Sequence, residues 1–540
     1  MRIPPPLARL ASPDPHVGFL RVIGFAALLL GCAAAWLYHA AGLTLSHYDA
    51  KAHLVVARRV VDSLTPGWQQ LGAIWLPLPH LLNLLPVQID AFYRTGASAV
   101  ALSVVAFALA AYGVARIVVR ATGSRAAAAA GAAVLAFNPD ILYLQSTPMT
   151  EALLIGLLVI AIAFTFEWLQ ESASTSPADT PARNPAHVAS RRAGLAIAAA
   201  CLTRYEAWPV TLALLALAFI VLSKRGLAPG DVTGRVGRLA VYPAAAAAAF
   251  LLQSRLTVGK WVVTGGFFLP DNIDTGHPFR AIASVWWGAH IVSGHGVEWA
   301  AVAGAIACAI VAVHDRRRAA LLAPLALFAV GALPALAFFE GHPFRIRYMT
   351  PLVPALAVGA GLGLGLLRGW PRRLAAVALI GLVLVETRPF NSSAPMMLEA
   401  QWDSGNAAAR RQVSRYLADH YDGRTIMASM GSLAHYMQEL SRAGFDLKDF
   451  LHEGNGDLWA AAIEDPRPHV GWVLIEEWAE GGDQLAMLAR QNARFLVGFE
   501  RVAEGGGVAL YRAGGAGRGA KGTGAGASHA TTRASKVNVP

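Results

Sequence analysis

The sequence predicts a polytopic α-helical membrane protein with a small extracytoplasmic α/β domain at its C-terminal end. Three observations predict it. Apolar residues make up 55% of the 540 residues and charged residues only 15%, against about 25% charged in a soluble chain. Apolar runs of membrane-spanning character recur from residue 20 to residue 390. Beyond 390 the composition turns mixed and polar. This excludes a purely cytosolic enzyme, a disordered chain and a disulfide scaffold. The net charge of +11 does not signal nucleic-acid binding, because the basic residues sit in short loops between apolar runs. That pattern orients a chain in a membrane. The three cysteines, Cys32, Cys201 and Cys308, lie in apolar stretches and imply neither a disulfide framework nor a zinc site. The sixteen histidines show no HExxH-type spacing.

About eleven spans are expected, near 20–42, 96–119, 126–142, 151–169, 193–203, 206–222, 239–256, 297–313, 319–338, 348–367 and 374–388. The first follows Arg2, Arg9 and Arg21 and resembles a signal peptide, with Cys32 in a lipoprotein-like setting. It runs apolar to Leu45, which favours a retained span. The stretch 193–222 reads either as one long helix or as two short ones meeting at Thr203–Pro209. Charge favours two. With the N-terminus in the cytoplasm, the inside segments hold 19 Lys/Arg in 80 residues and the outside segments 9 in 121. One long helix would turn the 223–238 and Arg316-Arg317-Arg318 clusters outward, against the positive-inside rule. Residues 171–192 read as a flexible cytoplasmic loop.

Three regions follow: a membrane domain (1–390), an extracytoplasmic α/β domain (391–512) and a disordered Gly/Ala-rich basic tail (513–540). In the second, Thr425–Ala428 is a strand candidate leading to a helix at Ser432–Leu440. Gly471–Ile475 is another strand. Phe495–Arg501 and Val508–Arg512 flank Ala503-Glu504-Gly505-Gly506-Gly507, a hairpin signal.

Unusual residues collect on the expected outer face. The first loop, 43–95, opens with Ser46-His47-Tyr48-Asp49-Ala50-Lys51-Ala52-His53, followed by an amphipathic stretch, Leu54–Val61. Asp49 stands just after the first span. A carboxylate there either takes a proton from an incoming hydroxyl or pairs with Lys51 or Arg58. His47, Asp49 and His53 offer metal ligands, but two more are not evident. Gly72–Pro86 is too rich in proline for a span and too apolar for water. It suits the interface, with Trp75 as an anchor. Next comes Phe137–Glu151, where Asn138-Pro139 and Thr147-Pro148 break helices and Glu151 suits a helix N-terminus. Thr203-Arg204-Tyr205-Glu206 places an ionisable pair at the membrane boundary, either functional or a structural ion pair. Arg345-Ile346-Arg347-Tyr348 offers two arginines to a headgroup phosphate. The loop 257–296 is long enough for a lid and has no readable motif. Gly361 and Gly365 read as close helix packing.

Together, Asp49, Trp75-Leu76-Pro77-Leu78-Pro79-His80, Ser146–Glu151, Thr203–Glu206 and Arg347-Tyr348 make the chain resemble the GT-C glycosyltransferases. The resemblance is to the glycosyltransferase family 39 or dolichyl-phosphate-mannose-protein mannosyltransferase-like group, which includes bacterial lipid A aminoarabinose transferases. It covers roughly residues 20–390. It implies a GT-C-like fold in a bacterial plasma membrane, with the C-terminal domain extracytoplasmic. It implies transfer of a hexose- or pentose-class sugar from a polyprenyl-phosphate donor to a hydroxyl of a protein, lipid or glycan acceptor, with inversion. Asp49 would be the base. Arg347, Arg204 and Arg345 would hold the donor phosphate, and Glu151, Glu206, Tyr348 and His53 would support them. Many members carry a second acidic residue beside the first-loop aspartate. Position 50 here is Ala, so the expectation is a site with no metal and no other cofactor.

Two rival classes remain. A flippase for lipid-linked sugars would also want outer arginines, but it needs polar residues at mid-depth and helices broken on both sides. An inactive relative would act as a scaffold through its outer domain.

Overall fold

The computed structural model describes residues 15–172, 185–263, 268–269, 271–479 and 482–514. Most of the loop expected at 171–192 and nearly all of the tail expected at 513–540 lie outside them. Among the described residues, eight helices are long and apolar enough to cross a membrane: Val17–Ala40, Ala97–Thr122, Glu151–Glu171, Ala207–Lys224, Pro229–Val258, His295–His314, Arg316–Phe339 and Ile346–Leu366. The remaining expected spans correspond to three further helices, Arg125–Ala136, Pro185–Cys201 and Gly369–Glu386. The first two are short, and the third carries Arg372, Arg373 and Glu386 within 18 residues. The run expected at 126–142 stops at Ala136. Asn138 ends it by capping a new short helix, Pro139–Leu144, its side chain accepting from the Ile141 amide at 3.1 Å.

The doubtful stretch 193–222 is two helices. Their break is stitched closed, as exposed helix-end carbonyls require. The Cys201 carbonyl accepts the Trp208 indole N–H at 3.0 Å, and the Leu202 carbonyl accepts the Leu78 amide at 2.9 Å. This break therefore grips the first loop. Helix crossings are close where glycines allow it. A Cβ at Gly361 would come within 2.8 Å of Val118, and one at Gly363 within 2.6 Å of the Gly304 Cα.

The segments expected outside meet at one end of the bundle. The Asn138 side chain donates to the Val292 carbonyl at 2.6 Å, and Gly276 donates to the Phe339 carbonyl at 2.8 Å. At the other end the basic segments satisfy exposed helix termini. Arg116 forks onto Glu167 at 2.7 and 2.8 Å, Lys224 caps the Val313 carbonyl at 3.0 Å, and Arg225 caps that of Leu169.

The C-terminal unit is a five-stranded sheet: β1 (Ile426–Ala428), β2 (Phe450–Leu451), β3 (Trp472–Glu476), β4 (Phe499–Gly505) and β5 (Val508–Ala513). Their order is β2-β1-β3-β5-β4. Strand β1 runs parallel to both neighbours, and β5 runs antiparallel to β3 and β4. Gly506 and Gly507, at φ 58° and 79°, make the two-residue β4–β5 turn, which needs left-handed backbone at both positions. The strand expected from Phe495 starts only at Phe499, because Phe495 is buried in the core before the strand begins. The helix expected at Ser432–Leu440 is broken at Tyr436 into a 3-10 turn and a single α-turn.

Alternation along β3 sends Trp472 and Leu474 into one core and Val473 and Ile475 into the other. The first core also contains Leu54, Val55 and Ala57 of the first-loop helix, Tyr48–Arg58. So the first loop and the sheet unit share one interior. Polar contacts reinforce it: the Leu447 and Lys448 amides donate to the Asp62 carboxylate at 3.1 and 3.0 Å, and Gln70 donates to the Gly454 carbonyl at 2.8 Å.

Candidate active site

Asp49 lies in the first turn of the helix Tyr48–Arg58. His47 caps that helix, its Nδ1 accepting the Asp49 amide at 3.0 Å. A carboxylate in a first turn is favoured by the helix dipole. Its partner is neither Lys51 nor Arg58 but Arg347, from the single turn Ile346–Tyr348. That turn is anchored by the Ile346 amide, which donates to Glu399 Oε2 at 2.6 Å. Burial pushes the Asp49 carboxyl upward, but Arg347, aided by His47 and His53, outweighs it and holds Asp49 well below the usual carboxylate range.

Tyr348 completes this corner. Its hydroxyl lies 3.4 Å from both Arg347 Nη2 and His342 Nε2, and the Arg347 guanidinium sits 5.1 Å from the Tyr348 ring centre.

Asp49 forms a wall common to two cavities. One, of 280 Å³, is lined by Trp75, Leu76, Pro79, Leu333, Pro334 and Ala337, with Arg204 and Arg347 among them. The other, of 650 Å³, opens toward the sheet unit and is lined by polar side chains including Lys51, Glu399, Arg410 and Glu476.

Arg204 is already spoken for. Its guanidinium lies 3.0 Å from Glu151 Oε1, 2.8 Å from Glu206 Oε1 and 3.0 Å from Thr150 Oγ1. Burial works against its charge, but Glu151 and Glu206 outweigh burial and keep it cationic. His53 is bonded to His80 at 3.0 Å and lies against Trp75, ring centres 4.2 Å apart. Burial, then Arg59, pushes His80 down to about 3. Burial, then His80, pushes His53 well below its ordinary value. Both rings are therefore neutral near pH 7.

The structure thus gathers Asp49, Arg347, Arg204, Glu206, Tyr348 and His53 around one cavity, with Glu151 fully buried behind Arg204. Arg345 is placed elsewhere: it lines the larger cavity, its guanidinium 4.8 Å from the Trp402 ring centre. Trp75, expected as an interfacial anchor, is a cavity wall against His53. The sequence reading placed His342 in the outer segment 340–348 without a role, and missed Glu399 and the polar wall from the sheet unit. Glu399 carries no local signal, since only folding brings it beside residue 346.

Metal-ligand geometry does not form around Asp49. Among the described residues, the trio whose ligand atoms lie within 4.8 Å of one another is His290, His295 and Glu298, which lines neither cavity. At Asp49 the carboxylate is occupied by a guanidinium, and His53 and His80 are spent on each other.

No protein-family model matches the sequence, and no curated protein matches it by sequence. Solved structures do match. The apo structure of ArnT from Cupriavidus metallidurans superposes with a TM-score of 0.57 at 14% identity, over 92% of this chain and 98% of that one. The same protein bound to undecaprenyl phosphate gives a TM-score of 0.55 at 14% identity, over 92% and 98%. The apo oligosaccharyltransferase of Archaeoglobus fulgidus gives 0.50 at 12% identity, over 88% of this chain and 72% of that one. The chain shares the fold of these proteins, polytopic and helical with a small C-terminal sheet unit.

Proposed function

We propose that this protein is a membrane glycosyltransferase. It moves a hexose- or pentose-class sugar from a polyprenyl-phosphate donor to an acceptor hydroxyl on the outer face, with inversion and with Asp49 as the base. The observation that carries this reading is the position of Asp49, whose side chain forms a wall of both the apolar cavity and the polar one. An apolar cavity with two arginines suits a lipid-linked phosphate sugar, and a separate polar cavity suits the acceptor. The structural similarity to a protein bound to undecaprenyl phosphate agrees.

The chemistry follows from the ion pair. The acceptor oxygen attacks the anomeric carbon, the bond from that carbon to the phosphate oxygen breaks, and the electron pair leaves on phosphate. Asp49 takes the acceptor proton. While paired with Arg347 it is a poor base. Donor phosphate competes for that guanidinium, and as the pair loosens the buried carboxylate regains basicity. The cation that frees the base is also the one that stabilises the departing phosphate. Arg204, shared by two carboxylates, adds less net charge and holds the wall. We infer that no metal takes part, because a cation at Asp49 would have to displace Arg347.

The test uses purified protein in lipid with radiolabelled polyprenyl-phosphate sugars and membrane extract as acceptor, native chain against Asp49→Asn. Label entering a new product with the native chain alone supports the reading. Donor left unconsumed, with labelled lipid crossing proteoliposomes, would instead establish a flippase.

A further inference from the structure

The larger cavity stands at a defined place in the sheet unit. Ser429, Gly431 and Ser432 follow the carboxyl end of β1, and Glu476 and Trp478 lie at the carboxyl end of β3. These two strands are parallel neighbours, and β2 lies on the far side of β1. The chain therefore leaves β1 toward one side and returns to β3 on the other. The crevice outside the carboxyl ends at such a switch point is where open α/β sheets bind ligands.

Its lining describes the ligand. Four cationic side chains stand against four carboxylates, so no large excess of charge selects an anion. Arg410 ties part of this lining together: it donates to His435 Nδ1 at 2.7 Å and to Asp403 Oδ1 at 3.0 Å, and its Nη2 lies 3.3 Å from Glu476 Oε1. Burial, opposed by Arg410, lifts Glu476 to about 7, so near neutrality it both donates and accepts. Two indoles stand open at this wall, Trp402 and Trp478, 69% and 71% exposed. Flat apolar faces beside paired donors and acceptors match a sugar ring, with its C–H face and its vicinal hydroxyls. A peptide added as a strand would need a sheet edge. The edge strands β2 and β4 contribute nothing to this lining.

We propose that this cavity is the acceptor site and that it takes the end of an uncharged glycan, with Trp478 and Trp402 as stacking platforms and Glu476, Arg410 and Asp403 reading its hydroxyls. This rests on the transferase reading and names its acceptor class. The glycan hydroxyl points at Asp49, which receives its proton as the glycosidic bond forms and the donor phosphate departs.

The test separates binding from transfer. Full-length protein in nanodiscs is probed by saturation-transfer NMR with manno- and gluco-tetraoses, a Ser/Thr-containing peptide, and anionic lipid A. The expected result is saturation of a tetraose but not of the peptide or lipid A. Trp478→Ala weakens tetraose affinity at least tenfold, and Trp478→Phe restores most of it. A Trp478→Ala protein that melts with the native one while binding the tetraose unchanged overturns the proposal. So does saturation of the peptide or lipid A alone, or of no probe. Tetraose binding in a protein that consumes no donor would sink the transferase reading and leave a glycan site. Transfer of label to peptide or lipid with Trp478→Ala unaffected would do the reverse.

Discussion

The two cavities flanking Asp49 are built from different kinds of chain. The smaller is made by helix ends and the first loop, with aromatic, proline and aliphatic side chains beside the ion pairs. The larger is made by the sheet unit, the segment 399–410 and residues of the first loop and of 342–348, and most of its lining residues are polar. The same carboxylate serves both. The difference teaches where selectivity and chemistry reside. On the proposed reading, the helix-end cavity holds the ion pairs that donor phosphate rearranges, and the sheet-side cavity holds the Arg410 cluster with Asp403 and Glu476.

The largest effect tests the shared wall. Asp49→Asn should cut turnover by about 10²–10⁴-fold while donor binding is kept or tightened, because Arg347 is then no longer shared with a carboxylate, read by single-turnover transfer and by donor titration. A variant that loses donor binding in proportion would place Asp49 in the helix-end cavity alone.

The next tests how the two arginines differ. Arg204→Ala leaves Glu151, fully buried, and Glu206 without a cation. Breaking a buried pair this way costs about 3–5 kcal/mol, so the variant should melt markedly lower. Arg204→Lys should recover only part of this, because one ammonium does not span both carboxylates. Arg347→Ala should instead act mainly on donor kcat/KM, by about 10²–10³-fold. If Arg204→Ala melts normally, Arg204 is free to act on phosphate as Arg347 does.

A pH profile sharpens this further. Arg347 holds Asp49 below the usual carboxylate range. The charged form is favoured in the folded chain, so the pairing stabilises it above about pH 3.9, the ordinary aspartate value, and is lost as pH falls through the depressed value. The acid limb of kcat/KM should lie below about 4 in the native protein. With Arg347→Ala, burial dominates and the limb should move to higher pH. An unmoved limb would mean that another group titrates there.

Smaller still, Trp75→Ala should raise donor KM by about tenfold, the order of one lost aromatic contact, and leave acceptor KM alone. The smallest expected effect is none. Chelation by EDTA should not change the transfer rate, and a loss restored by one divalent ion would overturn the metal-free reading.

Much of the membrane part was legible because the bilayer imposes long apolar runs and a charge asymmetry that composition records directly. The break expected at Thr203–Pro209, the close helix crossing at Gly361 and the gathering of Asp49, Arg204, Glu206 and Arg347 at one end of the bundle were readable. The short strand β2 was not, since two residues carry no periodicity. Partners were not readable either. Asp49 seemed suited to Lys51 or Arg58, its neighbours in sequence, and folding gave it to a residue 298 positions away.

The sequence by itself determined that this chain carries helices long and apolar enough to cross a membrane, and which ionisable residue types gather at one end of them. Those properties follow from local composition, which solvent acts on residue by residue. Tertiary structure alone decided that Arg204 is shared by two carboxylates and Arg347 pairs with one, that Arg345 faces a different cavity, and that the sheet unit stands beside Asp49. Each depends on contacts between distant segments, and the free energy of a buried charge is set by its neighbours in space rather than along the chain.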